Sequence, residues 1–422
     1  MFHPREIVTA IELGTSKFSV LVGEVFPDGR LNVIGQGSAP SAGSVVKGEI
    51  DNMDLAFEQL MSALNEAEQS SDRELGNSRL IVVSVTGCGS DFHEGTGTVF
   101  VKNSEHKVTE AEQLEAHENA RIFRLAPDRE IINSSDTYFR IDGRRVRNPL
   151  NLAGTRLDAV VHVVHAQSSR LENFRSVIRD AGFEETPIYV AFAPLAADLG
   201  ILSEEERENG VLLIDLGAGT TNYVVQYGCG VVASGMLPVG FEHVCNDLSI
   251  GLDLPIDYCR KLFTDGILER AFAEHQPYIE YNARGSRKRQ IPLGSFETIV
   301  DLRIRETFDV IRRTLTQRGA MVELGGGGVL TGGGALFCRS SVLFKEIFGV
   351  GCRIGRPLEI PGAATDLCTP RHSTVWGTLR IAAYFNTMAG AGDGMSRTID
   401  ALDSLLNKAR RGFRSLKDSF RI

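Results

Sequence analysis

Residues 211–222 read V-L-L-I-D-L-G-A-G-T-T-N and form the clearest motif of the chain. An apolar run long enough for a buried strand ends at the carboxylate of Asp215, and glycines and threonines follow at once. Such a turn exposes several backbone N–H groups, and glycine lets a phosphate approach them closely. The threonine hydroxyls add donors, and the carboxylate suits a hydrated Mg²⁺. Taken alone, the stretch fits a phosphate-binding turn and an ordinary hairpin turn with an incidental aspartate equally well.

A second copy of this pattern lies near the beginning of the chain. Residues 7–17 read I-V-T-A-I-E-L-G-T-S-K, so that Glu12 holds the position of Asp215. Both copies continue as strand, turn and strand, with turns at residues 27–29 and 228–230. Two such units, about 200 residues apart, predict a duplicated α/β fold with two phosphate-binding turns that face each other.

Composition limits the class of protein. The 422 residues are 42% hydrophobic and 23% charged, as in an ordinary globular protein of about two domains. The net charge of -9 argues against nucleic acid as the main partner. The seven cysteines are scattered without a C-x-x-C pair, which favours a reducing compartment over a disulfide or zinc scaffold. We find neither the apolar segment of a secretory signal peptide nor an apolar run of the ~20 residues that span a bilayer.

The pattern changes between residues 87 and 167. Alternating strands surround a helix that begins near Thr109, with Glu112 three residues later as in a capping box. This predicts a small α+β module inserted into the first half of the duplicated fold.

The second half contains two further segments of note. Residues 246–319 are predicted to be mostly helical, and the basic run at 284–290 is interpreted as a solvated loop because no aromatic residue interleaves it. Residues 325–336 read G-G-G-G-V-L-T-G-G-G-A-L, a short strand that ends in three glycines before a helix. This third glycine turn suits a flat ligand face or tight packing of a helix.

The end of the chain predicts a linker and a basic amphipathic helix. Residues 387–399 are rich in glycine, and in residues 400–422 apolar side chains recur every three or four positions. A helix with a basic side and an apolar side suits an anionic membrane surface, and the alternative is a helix docked on the protein's own core. The predicted membrane-facing residues are Leu405, Leu406, Phe413, Leu416, Phe420, Arg410, Arg411, Arg414 and Lys417.

The order of the three glycine turns resembles the actin/Hsp70/sugar-kinase superfamily of ATP-binding proteins. Within it, residues 237–252 (L-P-V-G-F-E-H-V-C-N-D-L-S-I-G-L), the position of the insert and the tail are similar to the FtsA family of bacterial cell-division proteins. The resemblance covers nearly the whole chain. It implies an actin-like fold: two ribonuclease-H-like halves around a nucleotide cleft, with an inserted α+β subdomain and a C-terminal amphipathic helix.

The resemblance also implies how the chain is divided. The first half would comprise residues 1–86, 168–205 and 373–386, and the insert residues 87–167. The second half would comprise residues 206–245 and 320–372, with a helical nucleotide-side subdomain at 246–319. The linker at 387–399 and the membrane-targeting helix at 400–422 would follow.

The implied cofactors are ATP and Mg²⁺. By the resemblance, Glu12 and Asp215 would lie near the metal through water, and Gly332, Gly333 and Gly334 would face the adenosine. The phosphates would be held by Gly14, Thr15, Ser16, Lys17, Gly217, Gly219, Thr220 and Thr221.

Three positions depart from the family pattern. The first carboxylate is usually aspartate, and here it is Glu12. Family members often carry a glutamate in the helix near the base, where this chain reads Tyr258-Cys259-Arg260-Lys261. Arg260 or Lys261 would then contact the base or the ribose. Residues 189–194 contain no Gln, Glu or Asp to orient water, which predicts binding with slow hydrolysis or none.

The implied function is that of a scaffold. The protein would polymerise on the inner face of the cytoplasmic membrane at the division site, as a peripheral protein. It would anchor the tubulin-like FtsZ and recruit later division proteins through the insert, with no nucleic acid as a partner. The alternatives are a pilus-assembly ATP-binding protein of the PilM type and a sugar-kinase-type phosphotransferase. The latter is disfavoured because no catalytic aspartate beside a sugar pocket is evident.

Overall fold

The computed structural model describes residues 5–103, 105–228, 230–282 and 288–390. Its strands are β1 Glu6–Leu13, β2 Lys17–Val25, β3 Leu31–Pro40, β4 Val45–Val46, β5 Glu49–Ile50, β6 Leu80–Val85, β7 Asp91–Phe100, β8 Arg129–Ile141, β9 Arg144–Val146, β10 Arg156–Gln167, β11 Ile188–Phe192, β12 Val211–Leu216, β13 Thr221–Tyr227, β14 Gly230–Leu237, β15 Tyr278–Tyr281, β16 Arg289–Pro292, β17 Gly328–Thr331 and β18 Cys352–Ile354. Its α-helices are α1 Met53–Ser71, α2 Glu110–Ala120, α3 Ser168–Asp180, α4 Ala193–Ile201, α5 Glu204–Asn209, α6 Phe241–Leu252, α7 Ile256–Thr264, α8 Ile267–Ala273, α9 Leu293–Gln317, α10 Cys338–Phe348 and α11 Ser373–Gly390. Short 3₁₀ helices lie at Leu75–Asn77, Gly333–Leu336, Thr365–Leu367 and Pro370–His372.

The two halves share one sheet topology. The first sheet has the order β3-β2-β1-β6-β11, in which β1, β2 and β3 form an antiparallel meander and β1, β6 and β11 run parallel. The second has the order β14-β13-β12-β17-β18, with the same antiparallel meander and the same parallel strands. The predicted duplication and both predicted hairpins are therefore confirmed.

The cores of the two halves follow from the apolar strands. Strand β6 is buried at every position, as expected for a parallel strand covered on both faces. Helix α1 packs on β3, and α11 packs on α4 and β1, so that helices cover both faces of the first sheet. Trp376 on α11 is fully buried and donates from Nε1 to the carbonyl oxygen of Leu358 at 2.6 Å. These helices fix where strand β1 ends, and hence the position of the first glycine turn.

The insert is a separate antiparallel sheet with one helix. Its strands have the order β7-β10-β8-β9, and α2 packs on β7 and β10. A Cβ atom on Gly97 would lie 2.0 Å from the carbonyl oxygen of Ala116, so glycine is needed for this close approach. At the start of α2, the carboxylate of Glu112 accepts a hydrogen bond from the Thr109 N–H at 2.8 Å, as in a capping box. The predicted α+β architecture of the insert is confirmed.

Two segments differ from the predictions. Arg289 and Gln290 belong to strand β16, which pairs with β15, rather than to a solvated loop. The pairing partner lies eight or more residues upstream, so the local basic composition gave no sign of it. Helix α11 continues through Gly390, so residues 387–390 of the predicted linker are helical. The Thr387 hydroxyl donates to the Ala383 carbonyl oxygen at 3.0 Å within this last turn of the helix.

The predicted amphipathic helix at 400–422 and most of the predicted linker lie outside the described residues. Among the residues that are described, no helix combines the length and the apolar character needed to cross a membrane.

Candidate functional site

A cleft with a cavity volume of about 250 Å³ lies where the two glycine turns meet. Each turn follows the strand that begins its half's motif, β1 or β12, and each is closed by the same backbone hydrogen bond. Gly14 N–H donates to the Lys17 carbonyl oxygen, and Gly217 N–H donates to the Thr220 carbonyl oxygen, both at 3.0 Å. The duplication seen in the sequence is therefore preserved in the backbone of the turns.

The turns face each other across the cleft. A Cβ atom added to Gly219 would lie 2.4 Å from the Thr15 Oγ1 atom of the other half. Gly14, Thr15, Ser16, Lys17, Gly217, Gly219 and Thr220 all line the cavity. The facing turns thus place hydroxyl groups, backbone N–H groups and one ammonium group around a single space, as a polyphosphate requires.

Two carboxylates lie at the floor of this cleft. Burial raises the pKa of Glu12 to about 7, Lys17 opposes the shift, and Asp215 adds to it. The Val375 N–H at the start of α11 donates a hydrogen bond to the Glu12 carboxylate. The Oε2 atom of this carboxylate is nevertheless buried without a hydrogen-bond partner of its own among the described residues. An orphaned carboxylate oxygen next to a second acid fits a hydrated divalent cation.

Asp215 is held by hydrogen bonds from both sides of the cleft. Its Oδ2 atom accepts from Asn222 Nδ2 at 3.3 Å and from Thr374 Oγ1 at 3.4 Å. Burial raises the pKa of Asp215, and these two hydrogen bonds oppose the rise. The carboxylate of the second half is thereby tied to helix α11 of the first half.

Two cations line the same space. Burial lowers the pKa of Lys17, whereas the neighbouring Glu12 raises it. Arg371 also lines the cleft, lowers the pKa of Lys17 through charge repulsion and has no ion pair among the described residues. Arg371 was not among the residues predicted from the sequence. Its position directly after Pro370 and just before a helical pattern was the only available signal.

The third glycine turn packs against the second carboxylate. Gly332 has a φ of +80°, and a Cβ atom there would lie 2.3 Å from Asp215 Oδ1. A Cβ atom on Gly334 would lie 2.0 Å from the Phe241 ring. Gly332, Gly333 and Gly334 line the cleft, and the aromatic side chains of Phe241, Phe263 and Phe337 line the same end of it. The aromatic rings make this end of the cleft less polar than the end formed by the facing turns.

Comparison with known proteins identifies the family. The family model of the cell division protein FtsA matches residues 212–377, and the model of the SHS2 domain inserted in FtsA matches residues 90–165. The chain is 30% identical to the cell division protein FtsA of Borreliella burgdorferi over 377 residues, which cover 88% of this chain and 90% of that protein. The chain belongs to the FtsA family of cell division proteins.

Other FtsA proteins match to a similar extent. The protein of Neisseria meningitidis serogroup B is 30% identical and covers 90% of this chain and 91% of its own length. The protein of Escherichia coli K12 is 26% identical and covers 89% of this chain and 90% of its own length. The family predicted from the order of the motifs is therefore confirmed.

Solved structures confirm the actin-like fold. A chain of the PilM–PilN type IV pilus biogenesis complex gives a TM-score of 0.62 at 16% identity, with 91% of this chain and 99% of that chain covered. MreB 5 of Spiroplasma citri, solved bound to AMPPNP, gives a TM-score of 0.52 at 13% identity, with 92% and 99% covered. At these identities the likeness concerns the fold alone.

Two residues that the FtsA resemblance placed in the site lie outside the cleft lining. The Thr221 side chain is buried, and its hydroxyl donates to the Val239 carbonyl oxygen at 2.7 Å. Lys261 is exposed on α7, and its neighbour Arg260 lines the cleft instead. Arg260 is paired with Glu242 at 2.9 Å and with Asp257 at 3.0 Å.

The segment at residues 189–194, which has no Gln, Glu or Asp to orient a water, also borders the cleft. Residues 188–192 form β11, and among residues 189–194 only Ala193 lines the cavity. An alanine side chain offers no acceptor for the proton of an attacking water.

Proposed function

We propose that this FtsA-family chain binds ATP together with Mg²⁺ in the cleft and acts as a nucleotide-gated scaffold in cell division. The observation that carries the proposal is the pair of facing glycine turns, closed by equivalent hydrogen bonds and joined at one cavity by Glu12 and Asp215. The structure of MreB 5 bound to AMPPNP supports it, since that protein holds a nucleotide on the same fold.

The chemistry of each part suggests its role. Gly14–Lys17 would bind the phosphates from the first half, and Gly217, Gly219 and Thr220 from the second half. Lys17 and Arg371 would balance the phosphate charge. Glu12 and Asp215 would hold Mg²⁺ through its water ligands, because Mg²⁺ loses its waters reluctantly. The metal would neutralise charge on the phosphate oxygens.

The chain would hydrolyse ATP slowly or not at all. In-line phosphoryl transfer requires a positioned water as well as bound phosphates. Ala193 supplies no group that could position this water. A purified protein that turns over many ATP molecules per second would contradict this part of the proposal.

Family membership and the sequence of the tail support the proposed cellular role. The chain would polymerise on the inner face of the cytoplasmic membrane, anchor FtsZ, and recruit later division proteins through the insert. Peripheral attachment would come from the basic amphipathic segment at 400–422. Each buried methylene adds about 0.8 kcal/mol and each basic residue about 1 kcal/mol at an anionic surface. Many such segments in one polymer would attach together.

Two experiments test the two parts of the proposal. Titration calorimetry with ATP, with and without Mg²⁺, tests the cleft, and absence of binding heat at several temperatures would overturn the nucleotide proposal. Co-sedimentation with liposomes of anionic lipid, with and without ATP, tests the tail. We expect the full-length chain to sediment and a chain stopped at Gly390 to stay in solution. Equal sedimentation of both would contradict membrane attachment through the tail.

A second candidate is a pilus-assembly scaffold of the PilM type. The TM-score of 0.62 to a chain of the PilM–PilN complex favours it, although the family models and the curated relatives favour cell division. A pull-down that offers FtsZ and an N-terminal peptide of a pilus protein separates the two. We expect retention of FtsZ alone.

A further inference from the structure

The end of the cleft lined by aromatic rings contains two acidic side chains, Glu242 and Glu269, that the proposed phosphate and metal sites leave unused. Glu269, on helix α8, lines the cavity together with Phe263 and Phe337. The two rings lie edge to face, with centroids 5.7 Å apart. A slot lined by aromatic rings with a few polar groups at its edge is the usual form of a site for a flat ring system.

Glu269 differs from the other acidic side chain at this end of the cleft. Glu242 is paired with Arg260 at 2.9 Å, so its charge is already balanced. The Oε2 atom of Glu269 is buried and has no hydrogen-bond partner among the described residues. A buried carboxylate oxygen without a donor is costly, unless a ligand supplies the donor.

Burial disfavours the charged form of Glu269, which makes a hydrogen-bond donor to its carboxylate more important. Burial raises the pKa of Glu269, whereas its own backbone N–H and the charges of Arg371 and Arg270 oppose the rise. Gly266 lies close on the same segment, where a Cβ atom would be 3.7 Å from Oε2. The Glu269 side chain nevertheless lines the cleft, so a molecule bound there can supply the missing donor once the carboxylate turns towards it.

We propose that Glu269 reads the nucleoside of the bound nucleotide, its carboxylate accepting a hydrogen bond from an N–H or O–H donor. The donor is the 6-amino group of adenine or a hydroxyl of the ribose. The inference rests on the proposed nucleotide function and assigns a residue to its specificity.

The experiment measures how strongly the protein discriminates among nucleotide analogues. Equilibrium binding is measured for ATP, for ITP, in which an oxygen replaces the 6-amino group, and for 2′-deoxy-ATP and 3′-deoxy-ATP. We expect the wild-type protein to bind ATP about tenfold or more tightly than at least one analogue, because hydrogen bonds to a charged group are strong. Glu269→Ala and Glu269→Gln should reduce this ratio towards one.

The identity of the affected analogue tells which donor Glu269 accepts from. Loss of discrimination against ITP identifies the base, and loss of discrimination against a deoxy analogue identifies the ribose. The matched control is Glu274→Ala, which removes an exposed carboxylate from the other end of α8 and should keep the wild-type ratios.

The outcomes separate this inference from the function on which it rests. A purely structural role of Glu269 would lower the melting temperature and leave all ratios unchanged, and this result would overturn the inference while ATP binding stands. Equal affinity of the wild-type protein for all four nucleotides would overturn it as well. A wild-type protein that binds none of them would overturn both proposals. Glu269→Gln conserves size, so it keeps the test valid if Glu269→Ala does not fold.

Discussion

The Nε2 atom of His162 lies 2.7 Å from the Oγ atom of Ser234. His162 belongs to strand β10 of the insert, and Ser234 to β14, the edge strand of the second half. A second hydrogen bond at the same junction runs from the Thr137 hydroxyl to the Val231 carbonyl oxygen at 2.8 Å. The insert, which interrupts the first half in sequence, is thus docked on the second half. A movement of the two halves that carried the insert along with the first half would strain or break this contact.

The buried histidine makes this junction sensitive to acid. Burial, assisted by the charge of Arg318, lowers the pKa of His162 from 6.5 to about 3. Arg318 is itself 3.6 Å from the carboxylate of Asp91 and lies over the Phe92 ring. Between pH 6.5 and about 3 the unfolded chain binds a proton here that the folded chain does not. We therefore expect the free energy of unfolding to decrease as the pH is lowered from 6.5 towards 3. Above pH 6.5, His162 should add nothing to the pH dependence of this free energy.

The measurement compares urea unfolding of the wild-type protein and of His162→Gln from pH 8 down to pH 4. The difference between the two proteins isolates His162, because Glu12 and His372 titrate in both. We expect this difference to shift in favour of the variant as the pH falls below 6.5. His275→Asn, at an exposed position, serves as the control and should follow the wild type. The prediction would be contradicted if the free energies of unfolding of the wild type and of His162→Gln changed in parallel over the whole pH range.

Lys17 and Lys261 should differ in their effect on ATP binding. Lys17 lines the cleft beside Glu12, whereas Lys261 is exposed and outside the lining. We expect Lys17→Ala to weaken ATP binding by about tenfold or more, because a charge-assisted contact to phosphate is lost. Lys261→Ala should bind as the wild type does in titration calorimetry. An equal loss of ATP affinity in both variants would show that ATP does not bind in this cleft.

The same pair of positions shows where reading the sequence reaches its limit. Neighbouring residues of a helix point about 100° apart, so the family pattern alone left Arg260 and Lys261 as equal candidates. The phase of α7 is set by Cys259 and Leu262, which are fully buried. That these two side chains pack inwards depends on how the neighbouring helices are placed, and this placement cannot be read from the sequence pattern of α7.

The sequence patterns predicted those features that depend on interactions between residues close together in the chain. The glycine turns, the two hairpins and the insert follow from alternation of apolar residues and from turn composition within short windows. Arg371 and Glu269 reach the cleft only through the packing of the 3₁₀ helix Pro370–His372 and helix α8, which lie far apart in the chain, and no spacing rule connects position 269 with position 371. Strand β16 likewise depends on its partner β15 rather than on its own basic composition.

Removing one partner of a buried ion pair near the junction of the halves should be strongly destabilising. Asp198 on α4 is fully buried and accepts from Arg207 Nε at 2.9 Å and from Gln226 Nε2 at 2.5 Å. We expect Asp198→Ala to lower the free energy of unfolding by about 3–5 kcal/mol, because Arg207 and Gln226 lose their partner in a dry environment.

The control for this stability measurement is an exposed ion pair. Asp28 and Arg30 lie 2.7 Å apart, and their side chains are 54% and 57% exposed. Asp28→Ala should cost about 0–1 kcal/mol. Both values come from urea unfolding at one pH. A loss of similar size in the two variants would contradict the assigned role of Asp198.

The closeness of the two phosphate turns predicts an effect of a single methyl group. A Cβ atom on Gly219 would lie 2.4 Å from Thr15 Oγ1 and 2.8 Å from Thr15 Cγ2, which is too close for either to stay in place. Gly219→Ala should therefore push the turns of the two halves apart and weaken ATP binding, with little loss of secondary structure by circular dichroism. Gly294→Ala is the matched control, because a Cβ atom there meets no atom within 4 Å among the described residues. ATP binding by Gly219→Ala at wild-type affinity would mean that the nucleotide does not require the two turns in this facing arrangement.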